Sequence, residues 1–128
     1  MISSRISIMP AQAILSLCIL FLLSLNTFAT EPSVDNTATY IDKGQYRWKI
    51  FVKADQSTLN QIEYVEYILP PTFPNQRRRV DKLLDKKYPF YLTELASSEF
   101  SIKVKIKYKS KDRSPSSFTY QLKLFTKK

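Results

Sequence analysis

Apolar and polar positions alternate with a period of two over most of this chain. The clearest run sets Phe100, Ile102, Val104, Ile106 and Tyr108 against Ser101, Lys103, Lys105, Lys107 and Lys109. Successive side chains of an extended chain point to opposite faces, so this run predicts a strand with one apolar face and one lysine face. Tyr46, Trp48, Ile50 and Val52 alternate with Arg47, Lys49, Phe51 and Lys53 in the same way, and Ala54-Asp55-Gln56-Ser57 reads as the turn that follows. Leu59, Ile62, Val65, Tyr67 and Leu69 form a third run. Its spacing slips to three between Ile62 and Val65. One extra residue resets the face each side chain takes, so a β-bulge is expected near Glu63-Tyr64. Phe118, Tyr120, Leu122 and Leu124 make a last strand after a hydrophilic turn over residues 110–117.

The connections are less regular. Pro70, Pro71 and Pro74 lie within five residues and cannot donate to a ladder, which predicts an extended loop. Residues 75–87 are polar and basic; a short edge strand and a turn of helix both fit them. Tyr88 to Leu92 reads as a short strand with Phe90 and Leu92 on one face, and residues 93–99 read as a loop. Residues 30–44 hold few large apolar groups and read as a flexible leader, with regular structure beginning after Gly44. No segment beyond residue 29 has a helical period. Short strands punctuated by turns predict an all-β sandwich over residues 45–128.

Residues 1–29 stand apart from that pattern. Arg5 supplies a positive start, and an apolar stretch runs from Ala13 to Leu25 with only Ser16 and Ser24 interrupting it. Thr27-Phe28-Ala29 then places small residues at the positions a signal peptidase reads. A stretch of about 13 apolar residues is short of the ~20 a spanning helix needs. The segment reads as a secretory signal peptide, with an uncleaved N-terminal anchor as the alternative. Leu17, and the apolar run after Cys18, argue against lipidation of that cysteine. An exported, periplasmic or extracellular protein is expected.

Composition then removes most chemistry. The 128 residues include no His, one Cys and one Gly. The commonest general base and zinc ligand is absent, no intrachain disulfide or CxxC site can form, and no glycine-rich phosphate cradle can be built. The carboxylates are scattered without a recognisable acid/base spacing. No catalytic residue, metal or cofactor is expected. Lys and Arg number 20 against 11 Asp and Glu, a formal charge of +9. Loss of residues 1–29 removes Arg5, leaving 19 against 11, or +8, on 99 residues without cysteine. A basic surface of this kind suits an anionic partner.

The order of strand motifs resembles a YEATS domain, in its prokaryotic form, from about Tyr46 to Phe125. The resembling parts are Trp48-Lys49-Ile50-Phe51-Val52, Ile62 to Leu69, Pro71-Thr72-Phe73-Pro74, Pro89-Phe90-Tyr91-Leu92, Phe100 to Val104 and Tyr120 to Leu124. The most specific of them is the Val65-x-Tyr67-x-Leu69 strand running into Pro71-Thr72-Phe73-Pro74. The resemblance implies an immunoglobulin-like sandwich. In the eukaryotic family it also implies recognition of an acylated lysine, whose acyl chain lies between aromatics on two loops while a loop hydroxyl bonds the amide. Phe73 matches the first-loop aromatic and Thr72 the hydroxyl. Pro70 stands where the family has His, and Ser97 falls where the second-loop aromatic belongs, in Leu95-Ala96-Ser97-Ser98-Glu99-Phe100. An acyl chain flanked on one side loses much of its stacking energy.

Two candidate sites follow. Thr72, Phe73, Ser97 and Ser98 form a loop site for a protein or peptide. Arg77, Arg78 and Arg79, with Lys82, Lys86 and Lys87, form a basic cluster suited to an anionic membrane surface or a cell-wall polymer. Export argues against nucleic acid as the partner. Lys103, Lys105, Lys107 and Lys109 read either as protection of an edge strand or as a face opposite an acid-bearing neighbour carrying Glu63 or Glu66. A non-enzymatic binding module of the cell envelope, a basic surface held to anionic lipid or polymer, and a purely structural envelope domain are the three functions this sequence admits.

Overall fold

A computed structural model describes residues 31–125; the expected signal peptide lies outside them. Seven strands and one short helix follow in order: β1 (Ser33–Asp42), β2 (Gln45–Lys53), α1 (Gln56–Asn60), β3 (Ile62–Ile68), β4 (Arg77–Val80), β5 (Leu92–Ala96), β6 (Ser101–Tyr108) and β7 (Ser116–Gln121). They make a three-stranded sheet, β1-β2-β5, and a four-stranded sheet, β4-β3-β6-β7. Every pairing is antiparallel.

The alternating residues supply one shared core. Trp48, Ile50 and Val52 from β2 meet Val65 and Tyr67 from β3 and Ile102, Val104, Ile106 and Tyr108 from β6. Each fully buried Ile or Val contributes about 1.5–3 kcal/mol of apolar burial. The bulge expected near Glu63-Tyr64 is present: Ile62 pairs with Tyr108 and Tyr64 with Lys107, so the register shifts between them. The Tyr67 hydroxyl, buried between the sheets, donates to the Phe90 carbonyl at 2.8 Å. Burial pushes its ionisation well above the ordinary phenol range. The Trp48 indole N–H, fully buried, is the only buried side-chain polar atom among the described residues without a hydrogen-bond partner.

Several expectations are corrected. The expected flexible leader over 30–44 is corrected within the described residues: Ser33–Asp42 form β1, which pairs along its length with β2. Apart from Tyr40 and Ile41 its exposed residues are polar, and only Val34 and Ala38 reach the core, so backbone pairing rather than apolar burial makes this strand. Lys43 (φ +49) and Gly44 (φ +77) form the tight hairpin turn, for which two left-handed residues suit the strand twist. Residues 56–57 belong to α1, not to a simple turn. Asp55 caps α1 by accepting from the Thr58 amide at 2.8 Å, and that interaction with Thr58 lowers its pKa. Residues 88–91 bend instead of forming a strand, because Pro89 precedes Phe90 at φ +52; the strand comes later, as β5. The last strand runs from Ser116 to Gln121, ahead of Leu122 and Leu124. The open question over residues 75–87 resolves to the edge strand β4.

Tyr120 and Asn36 join the free edges of the two sheets. The Tyr120 hydroxyl donates to Asn36 Oδ1 at 2.7 Å, with Asp35 Oδ1 at 3.3 Å, and Asn36 also bonds the Lys123 amide and carbonyl. Burial, then the Asp35 charge, push the Tyr120 pKa up to about 12. The neutral phenol is therefore favoured in the folded state. Its stabilising effect is complete below the ordinary tyrosine value of about 10 and fades as pH rises through 10 to about 12. Thermal melts across this range should show a steep alkaline loss in the wild type and a shallower one in Tyr120→Phe.

Candidate functional site

The loop over residues 70–76 is fixed by its neck. The Leu69 amide donates to the Gln76 carbonyl at 2.8 Å, and the Gln76 side-chain amide returns to the Leu69 carbonyl at 3.0 Å. Inside, the Phe73 amide closes a turn on the Pro70 carbonyl at 3.0 Å, and Asn75 takes a left-handed φ of +53, which Asn tolerates better than most residues.

Arg78 holds the far half of this loop. Its Nε and Nη2 donate to the carbonyls of Asn75 (2.6 Å) and Pro74 (2.8 Å), while Nη1 reaches Glu94 Oε2 on β5 at 2.7 Å. One guanidinium thus attaches the loop to the strand that leads into Ser97 and Ser98. The planar fork of arginine suits this three-way task; an ammonium would not.

The two loops meet through aromatic rings. Phe73 is half-buried, 5.2 Å from the Phe100 ring at a 58° tilt, and Phe100 stands edge-on to Trp48 at 5.9 Å. Thr72, Ser97 and Ser98 are exposed around that contact. Glu99 accepts from the amides of Leu124 (2.7 Å) and Phe125 (3.2 Å). This capping brings Phe125 to the same end of the sandwich.

Here the structure adds residues that sequence reasoning missed. Tyr46 pairs with Ala96, one residue before Ser97. Its ring lies edge-on to Tyr40 at 5.3 Å and to Phe125 at 5.4 Å. Tyr40 is 56% exposed and Phe125 57%. The Tyr40 hydroxyl accepts from the Gly44 amide at 3.2 Å, which ties the ring to the hairpin. Beside a loop whose one ring, Phe100, is packed against Phe73 and Trp48 stands a three-ring cluster from β1, β2 and the C-terminal segment. Tyr40 was hidden in a stretch with few apolar residues, and Phe125 followed the last run of alternation; only the β1 pairing and the Glu99 cap bring them together.

The six basic residues do not form one patch. Arg77 and Arg79 face outward from β4: Arg77 pairs with Glu66 at 3.2 Å, and Arg79 stacks on the Tyr64 ring at 3.9 Å. Arg78 faces inward and is used up by the loop and Glu94. Lys86 and Lys87 border a separate depression of about 350 Å³ with Phe51, Lys53 and Leu59. Lys82 is exposed between them along the chain. The lysines of β6 do not guard an edge, since β6 lies between β3 and β7. Glu66 on β3 stands opposite Lys105 in the register, but its carboxylate pairs with Arg77. Among the described residues no group of three His, Cys, Asp or Glu is placed to hold a metal ion.

A family model described as the YEATS family matches residues 43–126. Among solved structures, the fold is similar to the YEATS domain of Yaf9 bound to H3K27ac, at 24% identity over 78% of each chain with a TM-score of 0.60. It is similar also to the Yaf9 YEATS domain recognising an H3K122suc peptide, at 26% identity over 76% of this chain and 77% of that one, TM-score 0.58. The yeast AF-9 homolog Yaf9 in a further crystal structure matches at 25% identity over 73% and 71%, TM-score 0.59. No curated protein matches the sequence.

Arg78→Ala should destabilise the fold by about 1–2 kcal/mol, since it leaves the half-buried Glu94 carboxylate without its partner. A double-mutant cycle with Glu94→Ala in urea denaturation should return a coupling of about 1 kcal/mol or more. Amide exchange at Phe73 should quicken in Arg78→Ala; unchanged exchange there would mean that the loop holds itself.

Proposed function

Because this chain belongs to the YEATS family, we propose that it is a non-enzymatic module that binds a peptide at one end of an immunoglobulin-like sandwich. The observation that carries the reading is the gathering of exposed aromatics and hydroxyls where the loops converge. Thr72 and Phe73 lie on one loop; Ser97 and Ser98 follow Ala96, which pairs with Tyr46 of the Tyr40–Tyr46–Phe125 cluster. Loops at a sandwich end, held by a rigid scaffold, commonly carry binding function. The similar Yaf9 domains take histone peptides with acetylated or succinylated lysine, which supports a peptide as the kind of partner.

The mode of reading differs in this proposal. Ser97 offers no ring opposite Phe73, and Pro70 offers no imidazole. A side chain entering between the loops stacks on one ring, not two. Affinity comes instead from the exposed rings, which bury large amphipathic area at little entropic cost. With the expected signal peptide, the partner is a component of the cell envelope.

Peptide arrays carrying each lysine acylated and unmodified should give binders that do not discriminate between the two forms. In calorimetric titration of one such binder, Thr72→Ala/Phe73→Ala and Tyr40→Ala/Phe125→Ala should each weaken it at least tenfold; wild-type affinity in both would remove the loop site. N-terminal sequencing of the exported protein should begin at Thr30, and a start at Met1 sinks the cleaved signal peptide.

A further inference from the structure

The outward face of the four-stranded sheet carries a charge pattern that the sandwich end does not explain. Pairing puts Arg77, Ile68, Lys103 and Thr119 in one row across β4, β3, β6 and β7. The next row is Arg79, Glu66, Lys105 and Ser117, and Tyr64 and Lys107 follow. Five cations thus share this face with one acid on the same rows. Glu66 is only 8% exposed and is bonded to Arg77. Among the described residues Lys103, Lys105 and Lys107 have no ion-pair partner within 4.0 Å.

The face is also concave. A depression of about 300 Å³ is lined by Ile68, by Lys103 and Lys105, and by the hydroxyl-bearing Ser117 and Thr119, while Phe118 between them pairs with Val104 and packs against the core. An adjoining one of about 380 Å³ shares Ile68, Lys103 and Thr119 and continues to Pro70 and Pro71. Together they make a groove directed along β6 and β7.

We propose that this groove binds an extended acidic segment of a partner protein, with Asp or Glu at alternate positions. Lys103 and Lys105 in the groove and Lys107 just beyond it on the same face repeat every second residue, about 7 Å apart, and side chains on one face of an extended peptide repeat at the same interval. Each lysine meets one carboxylate, and the Ser117 and Thr119 hydroxyls lie beside Lys105 and Lys103 to donate to the same oxygens. The intervening peptide residues point away from the sheet, and the end of the peptide beyond Lys103 rests on Ile68, Pro70 and Pro71. That apolar lining separates this partner from a bare polyphosphate, which would leave it uncovered. The concavity separates it from a bilayer, whose flat surface does not enter a groove. The inference stands on the sheet face alone and does not rest on the loop-end reading.

Fluorescence anisotropy with a labelled twelve-residue peptide of alternating Glu and Val tests it. The peptide should bind, weaken as salt rises from low to high, and lose at least tenfold in Lys103→Glu/Lys105→Glu. Lys86→Glu/Lys87→Glu, which changes net charge equally at the separate depression, should bind as wild type, and Thr72→Ala/Phe73→Ala should too. Lys103→Gln/Lys105→Gln, checked for a native melt, should also weaken binding and guards against misfolding of the reversal. Equal binding of a peptide with its six Glu in one block overturns the alternate spacing. Equal loss in both charge reversals overturns the site in favour of net charge. Absence of peptide binding, with or without binding to phosphatidylglycerol vesicles or inorganic polyphosphate, overturns the protein partner.

Discussion

The ion pair between Arg78 and Glu94 joins β4, an edge of the four-stranded sheet, to β5, an edge of the three-stranded sheet. Across the molecule, Asn36 and Tyr120 join the other two edges, β1 and β7. A small sandwich with no disulfide in its described part has only its core and such ties to keep two sheets in register. The ties differ in consequence. The Asn36–Tyr120 side closes the sandwich and does little else. The Arg78–Glu94 side also sets the position of the loop over residues 70–76 relative to Ser97, because the same guanidinium holds both. The geometry of the sandwich end is therefore a by-product of how the edges are fastened.

Much of the fold was legible because period-two alternation survives wherever a strand buries one face. β2, β3 and β6 fall in that class, and even the bulge between Ile62 and Tyr64 announced itself as a spacing error. β1 and β5 did not. Their residues are small, polar or half-exposed, and hydrogen bonding to β2 makes them strands; no side-chain pattern records that. Arg77-Arg78-Arg79 shows the same limit from the other direction. Three identical residues read as one basic cluster, yet the pleat sends Arg78 inward and its neighbours outward, giving the three side chains unrelated tasks.

The candidate site was half legible. Thr72 and Phe73 could be placed by their proline frame and by family resemblance, and the missing ring at Ser97 could be seen directly. The rings of Tyr40, Tyr46 and Phe125 could not be brought together from the sequence. Tyr40 and Phe125 lie 85 residues apart in sequence and meet only through Tyr46, which pattern reading assigns to the core. Contact between distant segments is the information that a single sequence holds least openly.

Trp48 has a use beyond packing. It is the chain's one tryptophan, it has no exposed surface, and its indole N–H meets no acceptor. Its excited state therefore senses an environment without water or a hydrogen-bonded partner, and its emission sits at the blue end of the indole range. Any event that loosens the packing of Phe100 against it, or admits solvent between the sheets, registers as a red shift from a single chromophore. The molecule carries its own optical gauge at the point where core and loops meet.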